Sequence, residues 1–535
     1  MSAPALPRRK DLARSTTARI AYAAVIVAIT SLLAFWTALT PPLSTVDEPA
    51  HMNSVVRLLQ DGGWPPPRSA QFSEGMLVAM REAGNPLGAT TPLDELPPPE
   101  ERSIIVPLSA SGLDGANARD WMTQHPPTYY ALIAEALRLM GGEGWRWDQL
   151  VAGARLLSVL LVTGGVILAL AAVRRVSGSA VASVVGVAAI LAIPQFFNVL
   201  SLVTNDALAV FTGGGIMYFL ASALSATTAN TRALIRPALG AGLFLGLALL
   251  TKGTMITAIP AVFAVFAFVG LSRGRTPLSR FGPPAVSMLV AFVIGGWWWL
   301  RNLIVNGELQ SSNSGTGRTP EAFDGYSLVE FVQRTSVQLV QTFWGSIRST
   351  LDLPSVLTVS LTLIFAAALV WVLIVSTRRS TVALLSLAPA LVVGLIVFHA
   401  WEVYWSTGRI VGIQGRYLFP WIAVFSIVIA LAWIALFAAR SRWPRALGSS
   451  TIILLAAVVG VYGAMFAYRA RWQEGGWQEM ASSGALPVPL IGATAVAAMV
   501  AVLVAVVAAG ILAMGATAGM PALAARHPDE GPGPT

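Results

Sequence analysis

Apolar residues fall along this chain in long runs, broken by short polar turns and two long polar segments. Twelve runs stand out, at roughly 20–40, 150–173, 179–198, 204–224, 235–250, 253–271, 282–304, 354–376, 380–399, 417–439, 446–468 and 488–515. A helix rises about 1.5 Å per residue and the hydrocarbon core is about 30 Å thick, so runs of this length read as crossings. The pattern predicts an all-α integral membrane protein with about 12 transmembrane helices. It places a first external loop at 41–149, with short helices near 48–60 and 126–140, and a second at 305–353. Within the second, SSNSGTG precedes an amphipathic stretch from Leu328 to Ile347, expected to lie on the outer interface. The chain shows no internal repeat, and 20–515 reads as a single polytopic domain.

Charge sets the orientation. The segment from His125 to Gly141 is apolar over only about 14 residues, too short to span. Read as a juxtamembrane or re-entrant helix, it leaves 18 Lys/Arg and 3 Asp/Glu on the inner side, against 17 and 23 outside. Every inner turn then carries arginine, as cytoplasmic loops do. Both termini are expected in the cytoplasm: a basic tail at 1–19 and a disordered tail at 516–535. The first run lacks a small-residue cleavage site and reads as an uncleaved anchor.

Composition agrees. The chain is 55% hydrophobic and only 11% charged, against about 25% charged in soluble proteins. That excludes a cytosolic enzyme, and the net charge of +9 lies in loops that orient the chain, so no nucleic-acid partner is expected. There is no cysteine, which removes disulfides, thiol catalysis and thiolate metal sites.

Ionisable residues at a membrane edge are candidates for function. Asp47, Glu48 and His51 follow the first run and offer a base with an orienter, or a partial site for a divalent cation with Glu48 and His51 as its ligands. Asp47 could instead cap a helix beginning near Pro49. His125 and Tyr129 lie in HPPTYY, where the prolines start a helix and the tyrosines anchor at the interface, or where they support a site. Arg155 either snorkels or serves the same region. Asp206 and Lys252 occupy outer turns, and Lys252 is the only lysine beyond the N-terminal tail, a point charge suited to phosphate. Arg301 closes WWWLRN, whose tryptophans fit an aromatic belt. Gln414, Arg416 and Tyr417 lie in GIQGRYLFP, where glycines admit close approach and Arg416 offers a fork for phosphate.

The motifs Asp47-Glu48-Pro49-Ala50-His51, His125-Pro126-Pro127-Thr128-Tyr129-Tyr130 and Gln414-Gly415-Arg416-Tyr417-Leu418-Phe419-Pro420 occur in this order. They resemble a family of bacterial membrane proteins marked by DEPxH, HPPxYY and QGRYxxP. More broadly, the order is similar to that of GT-C superfamily glycosyltransferases, which use polyprenyl-phosphate sugars. The resemblance covers about 20–440. It implies a GT-C-like body in the bacterial plasma membrane, with the site on the external face. It also implies Asp47 as catalytic base with Glu48 beside it, and Lys252, Arg301, Arg416 and Tyr417 around the donor phosphate. His51, His125, Tyr129, Arg155, Asp206 and Gln414 fall in support.

The expected activity is transfer of a sugar from a polyprenyl-phosphate donor to a cell-envelope glycan, lipid or protein, with inversion. Membrane lipids are the other expected partners, and a divalent cation stays an open alternative. A transporter or flippase of lipid-linked sugar, or a non-catalytic envelope scaffold, would also fit the spans. A transporter places charges near the midplane, whereas here they gather at the outer rim.

Overall fold

The computed structural model describes residues 9–45, 47–67, 69–85, 97–108, 119–226, 231–310, 325, 327–347, 351–472, 476, 480 and 487–515. The expected tail at 516–535 and the SSNSGTG segment lie outside the described residues.

The first crossing is α1 (Arg9–Leu39). Three short helices follow it: α2 (Glu48–Leu59), α3 (Glu74–Glu82) and α4 (Thr128–Leu139). The chain returns through α5 (Trp147–Ser177). The next crossing is bent, formed by α6 (Ala180–Ala188) and α7 (Pro194–Leu200). Then come α8 (Asp206–Leu224), α9 (Thr231–Leu249), α10 (Ala258–Arg273), α11 (Pro277–Ala291) and α12 (Trp297–Asn306). After α13 (Leu328–Trp344), the chain closes with α14 (Ser355–Val375), α15 (Arg379–Thr407), α16 (Ile422–Phe437), α17 (Arg442–Arg471) and α18 (Val488–Gly515).

Among the described residues, ten helices are long and apolar enough to cross a membrane. The bent pair Ala180–Ala192 and Pro194–Leu200 and the shorter apolar helix Ala233–Leu249 account for the other two runs. The bend is 73°. It falls at Pro194, which holds Ile193 out of the helical region at ψ 80°. The expected short helices at 48–60 and 126–140 are α2 and α4, packed on each other, while α3 had no counterpart in the apolar pattern. The amphipathic stretch forms α13 and stops at Trp344, before a small antiparallel ladder between Ser346–Ile347 and Leu351–Asp352.

Close backbone packing fixes the interior. A Cβ on Gly165 would stand 2.7 Å from the Val210 carbonyl oxygen, so α5 and α8 meet through glycine. On a neighbouring face of α8, a Cβ on Gly213 would collide with the Pro420 carbonyl. Only glycine there lets the 3-10 segment Gly415–Trp421 lie against α8. A Cβ on Gly415 would stand 2.6 Å from the Leu339 carbonyl oxygen, so α13 closes over the same segment. The residue between these contacts, Arg416, is thereby placed.

Candidate active site

At the end of α1 the chain has carbonyls that the helix cannot satisfy, and Arg155 of α5 takes them. Its Nη1 donates to the carbonyls of Thr37 and Thr40, both at 2.7 Å, and its Nη2 to that of Pro41 at 3.2 Å. The same guanidinium holds Glu48 in a fork, Nε to Oε1 at 2.7 Å and Nη2 to Oε2 at 2.6 Å. The Leu43 and Val203 backbone N–H groups also donate to this carboxylate, each at 3.1 Å. Glu48 and Arg155 have side chains 0% exposed. With four donors on its two oxygens, Glu48 is a structural clamp; this corrects the expectation that it acts as a catalytic carboxylate or a metal ligand. Arg155 does not snorkel, because its charge is met entirely inside.

Asp47, one residue earlier, faces elsewhere. It occupies the N-cap position of α2 but makes no side-chain capping bond. Its Oδ2 instead accepts from Arg416 Nη2 at 2.6 Å, with side chains 31% and 19% exposed. Arg416 Nε lies 4.0 Å from Asp206 Oδ2, and Asp206 Oδ1 accepts from Lys252 Nζ at 2.6 Å. Lys252 also sits 4.6 Å from the centre of the Tyr417 ring. Two carboxylates and two cations thus alternate in one chain of charge. Burial would raise the Asp47 carboxyl, but Arg416, with His51 and Lys252 beyond it, holds it below the ordinary value.

Two histidines lie close to these charges. His51 Nδ1 lies 3.0 Å from the Tyr130 hydroxyl, and the two rings stack. Burial, then Lys252 and Arg416, push its imidazole down to about 4 against the opposing pull of Asp47 and Asp206. Burial, then Lys252 and His51, bring His125 down to about 3. Both are neutral rings at neutral pH. Tyr129 is structural: its hydroxyl bonds Ser158 Oγ at 2.7 Å and accepts from the Thr204 backbone N–H at 2.9 Å. It is fully buried, so the alternative of an interfacial anchor does not hold.

A cavity of about 1020 Å³ opens beside these residues, lined in part by Asp47, Glu48, His51, Gln414 and Arg416. Lys252 does not line it; it stands behind, engaged with Asp206. Arg301 is not brought to the cavity either. It is exposed and lies against Trp298, 5.6 Å from its ring centre, so its expected place at a donor phosphate is corrected. Nor do Glu48 and His51 fit a divalent cation. Among the described residues no group of three or more His, Asp or Glu side chains is arranged to hold a metal ion.

Another part of the lining was missed in the sequence. Gln195 and Asn198 of α7, Gln338 and Gln341 of α13, and Arg471 of α17 line it. Arg471 Nη2 donates to Asn198 Oδ1 at 2.8 Å, and Arg471 Nη1 to Thr40 Oγ1 at 2.7 Å. The only local signal was polar residues inside apolar runs at 195 and 198, one side of a proline.

Fold and site define a multi-pass helical membrane protein in which Asp47, Asp206, Lys252 and Arg416 are joined at one end of the bundle. Residues 31–425 match the family described as "Predicted membrane protein (DUF2142)", and the chain belongs to that family. No curated protein matches it. Among solved structures it is similar to ArnT from Cupriavidus metallidurans bound to undecaprenyl phosphate, at 16% identity and a TM-score of 0.47, over 92% of this chain and 78% of that one. It is also similar to the apo oligosaccharyltransferase of Archaeoglobus fulgidus, at 12% identity and a TM-score of 0.39, over 86% and 55%. AglB from the same organism, in complex with an inhibitory peptide and a dolichol-phosphate, gives 14% and 0.39 over 83% and 55%.

Proposed function

We propose that this protein is a membrane glycosyltransferase that moves a sugar from a polyprenyl-phosphate donor to a cell-envelope acceptor. One observation carries this reading: a half-buried carboxylate, Asp47, is held against a guanidinium, Arg416, on the wall of a large cavity at one end of the bundle. The resemblance of the three motifs to polyprenyl-phosphate-dependent enzymes supports it from the sequence side.

The chemistry follows from what each group can do. Asp47 takes the proton of an acceptor hydroxyl, and the acceptor oxygen bonds to the anomeric carbon as the carbon–phosphate-oxygen bond breaks. The electron pair leaves with the polyprenyl phosphate, and the configuration inverts. Arg416 donates to the departing phosphate oxygens. As the phosphate draws on those donors, Asp47 loses part of its own partner and gains basicity. Lys252 and Asp206 hold Arg416 in place from behind, and the apolar faces of the bundle carry the prenyl tail.

In this proposal the protein sits in a bacterial plasma membrane with both termini in the cytoplasm and the cavity facing outward. The test is transfer by the purified protein in lipid nanodiscs, with a panel of polyprenyl-phosphate sugars and envelope extract, beside Asp47→Asn. Transfer by wild type and none by the variant supports the assignment. Equal transfer by a folded Asp47→Asn protein would remove Asp47 as the base.

A further inference from the structure

Another part of the cavity lining carries a different chemistry. Gln195, Asn198 and Gln341 line the cavity while only 7%, 6% and 7% exposed, so each amide has been taken out of water and must be met by hydrogen bonds. Their partners inside the protein do not use them up. Gln195 Oε1 accepts from the Ser346 backbone N–H at 3.0 Å and from Asn198 Nδ2 at 3.1 Å. A backbone donor on that atom fixes which way the amide is turned. It leaves the Gln195 Nε2 hydrogens for the cavity. Gln341 Nε2 donates to Ser355 Oγ at 3.1 Å, and its Oε1 is buried without a partner. Turning that amide over would merely exchange the unpaired acceptor for unpaired donors.

An amide offers a donor and an acceptor side by side, which matches the paired hydroxyls of a sugar ring, and it carries no charge to attract an anion. A phosphate has only acceptors and is served by guanidinium groups of the same lining, Arg416 and Arg471. The amides therefore suit the hydroxyl-rich part of a ligand, and the guanidinium groups its anionic part. We infer that Gln195, Asn198 and Gln341 form a saccharide subsite, holding a neutral sugar ring in the same cavity as the Asp47–Arg416 pair. This deepens the transferase reading and rests on it for the identity of the other end. The ring belongs either to the lipid-linked donor or to a glycan acceptor.

The test is binding to the full-length protein in nanodiscs. The probes are undecaprenyl phosphate, the same lipid carrying glucose, galactose or mannose, and the corresponding free trisaccharides. Gln195→Met and Gln341→Met remove the amides at nearly constant volume; the second breaks only the bond to Ser355. Losing one such hydrogen bond is worth roughly tenfold in affinity. Both variants are expected to weaken a sugar-bearing probe by about tenfold and to bind sugar-free undecaprenyl phosphate as wild type does. Loss confined to the lipid-linked sugar identifies the donor's ring, and loss on a trisaccharide identifies the acceptor's. Unchanged sugar binding in both variants overturns the subsite, as does an equal loss on the sugar-free lipid, or a wild type that binds no trisaccharide and no lipid-linked sugar better than the bare lipid. If wild type fails to bind undecaprenyl phosphate but binds a trisaccharide through these amides, the subsite stands and the transferase reading falls.

Discussion

Arg416 Nη2 lies 2.6 Å from Asp47 Oδ2, joining residues 369 positions apart. One guanidinium thus lowers the basicity of the proposed base while the site is at rest and lines the cavity as a cation for an entering phosphate. Base strength and donor binding are linked through a single side chain.

Replacing Asp47 by Asn keeps the shape of the site and removes its proton acceptor. Transfer is expected to fall by about 10²- to 10⁴-fold, the usual contribution of a general base. Affinity for undecaprenyl phosphate should hold or rise, since Arg416 loses its competing carboxylate. Radiolabelled sugar transfer and lipid binding on the same preparation check both halves.

Arg416→Gln gives a pH signature. Arg416 holds the Asp47 carboxyl below its ordinary value, so its removal lets burial raise that carboxyl. Because the ionised form is the active base, the acid limb of the rate profile is expected to move to higher pH. An acid limb that stays in place, at whatever activity remains, would separate Asp47 from the rate.

Glu48→Gln addresses stability. It leaves Arg155 charged and wholly buried with half its fork gone, a change expected to cost about 3–5 kcal/mol. Thermal unfolding in detergent should show a large drop, with Arg155→Met in the same chain recovering part of it. A Glu48→Gln protein as stable as wild type but inactive would return Glu48 to the chemistry.

Acid sensitivity follows from the histidines. Their ordinary value is 6.5, and the folded chain holds them down to about 4 at His51 and about 3 at His125. Below 6.5 the unfolded chain takes up protons that the folded chain refuses, so stability present above that pH is lost as pH falls. At pH 5 the loss is on the order of 2 kcal/mol for each ring. Melting temperatures between pH 7 and pH 5 should fall in wild type and fall less in a His51→Gln, His125→Gln double variant.

Arg301→Gln is the contrasting case. Exposed on α12 and away from the cavity, it is expected to change stability by no more than about 0.5 kcal/mol and to leave undecaprenyl phosphate binding unchanged.

The crossings were legible in the sequence because hydrophobic length is a local property: each of the twelve apolar runs has its helix, and the run at 179–198 is bent at its own proline. The short helices α2 and α4 and the amphipathic α13 were legible for the same reason. Loop charge also placed Asp47, Asp206, Lys252 and Arg416 at one depth, and there they meet. What each residue does there was decided by tertiary structure. Asp47 and Glu48 are neighbours in sequence, yet at a helix start successive side chains point about 100° apart. One therefore reaches Arg416 at the cavity and the other Arg155 in the interior. The glycine contacts of α8 and α13 select Arg416 as the cation beside Asp47, and no local pattern separates it from Arg301. The amide wall was hidden because Gln195 and Asn198 become a surface only when Pro194 turns α7 toward α13 and α17.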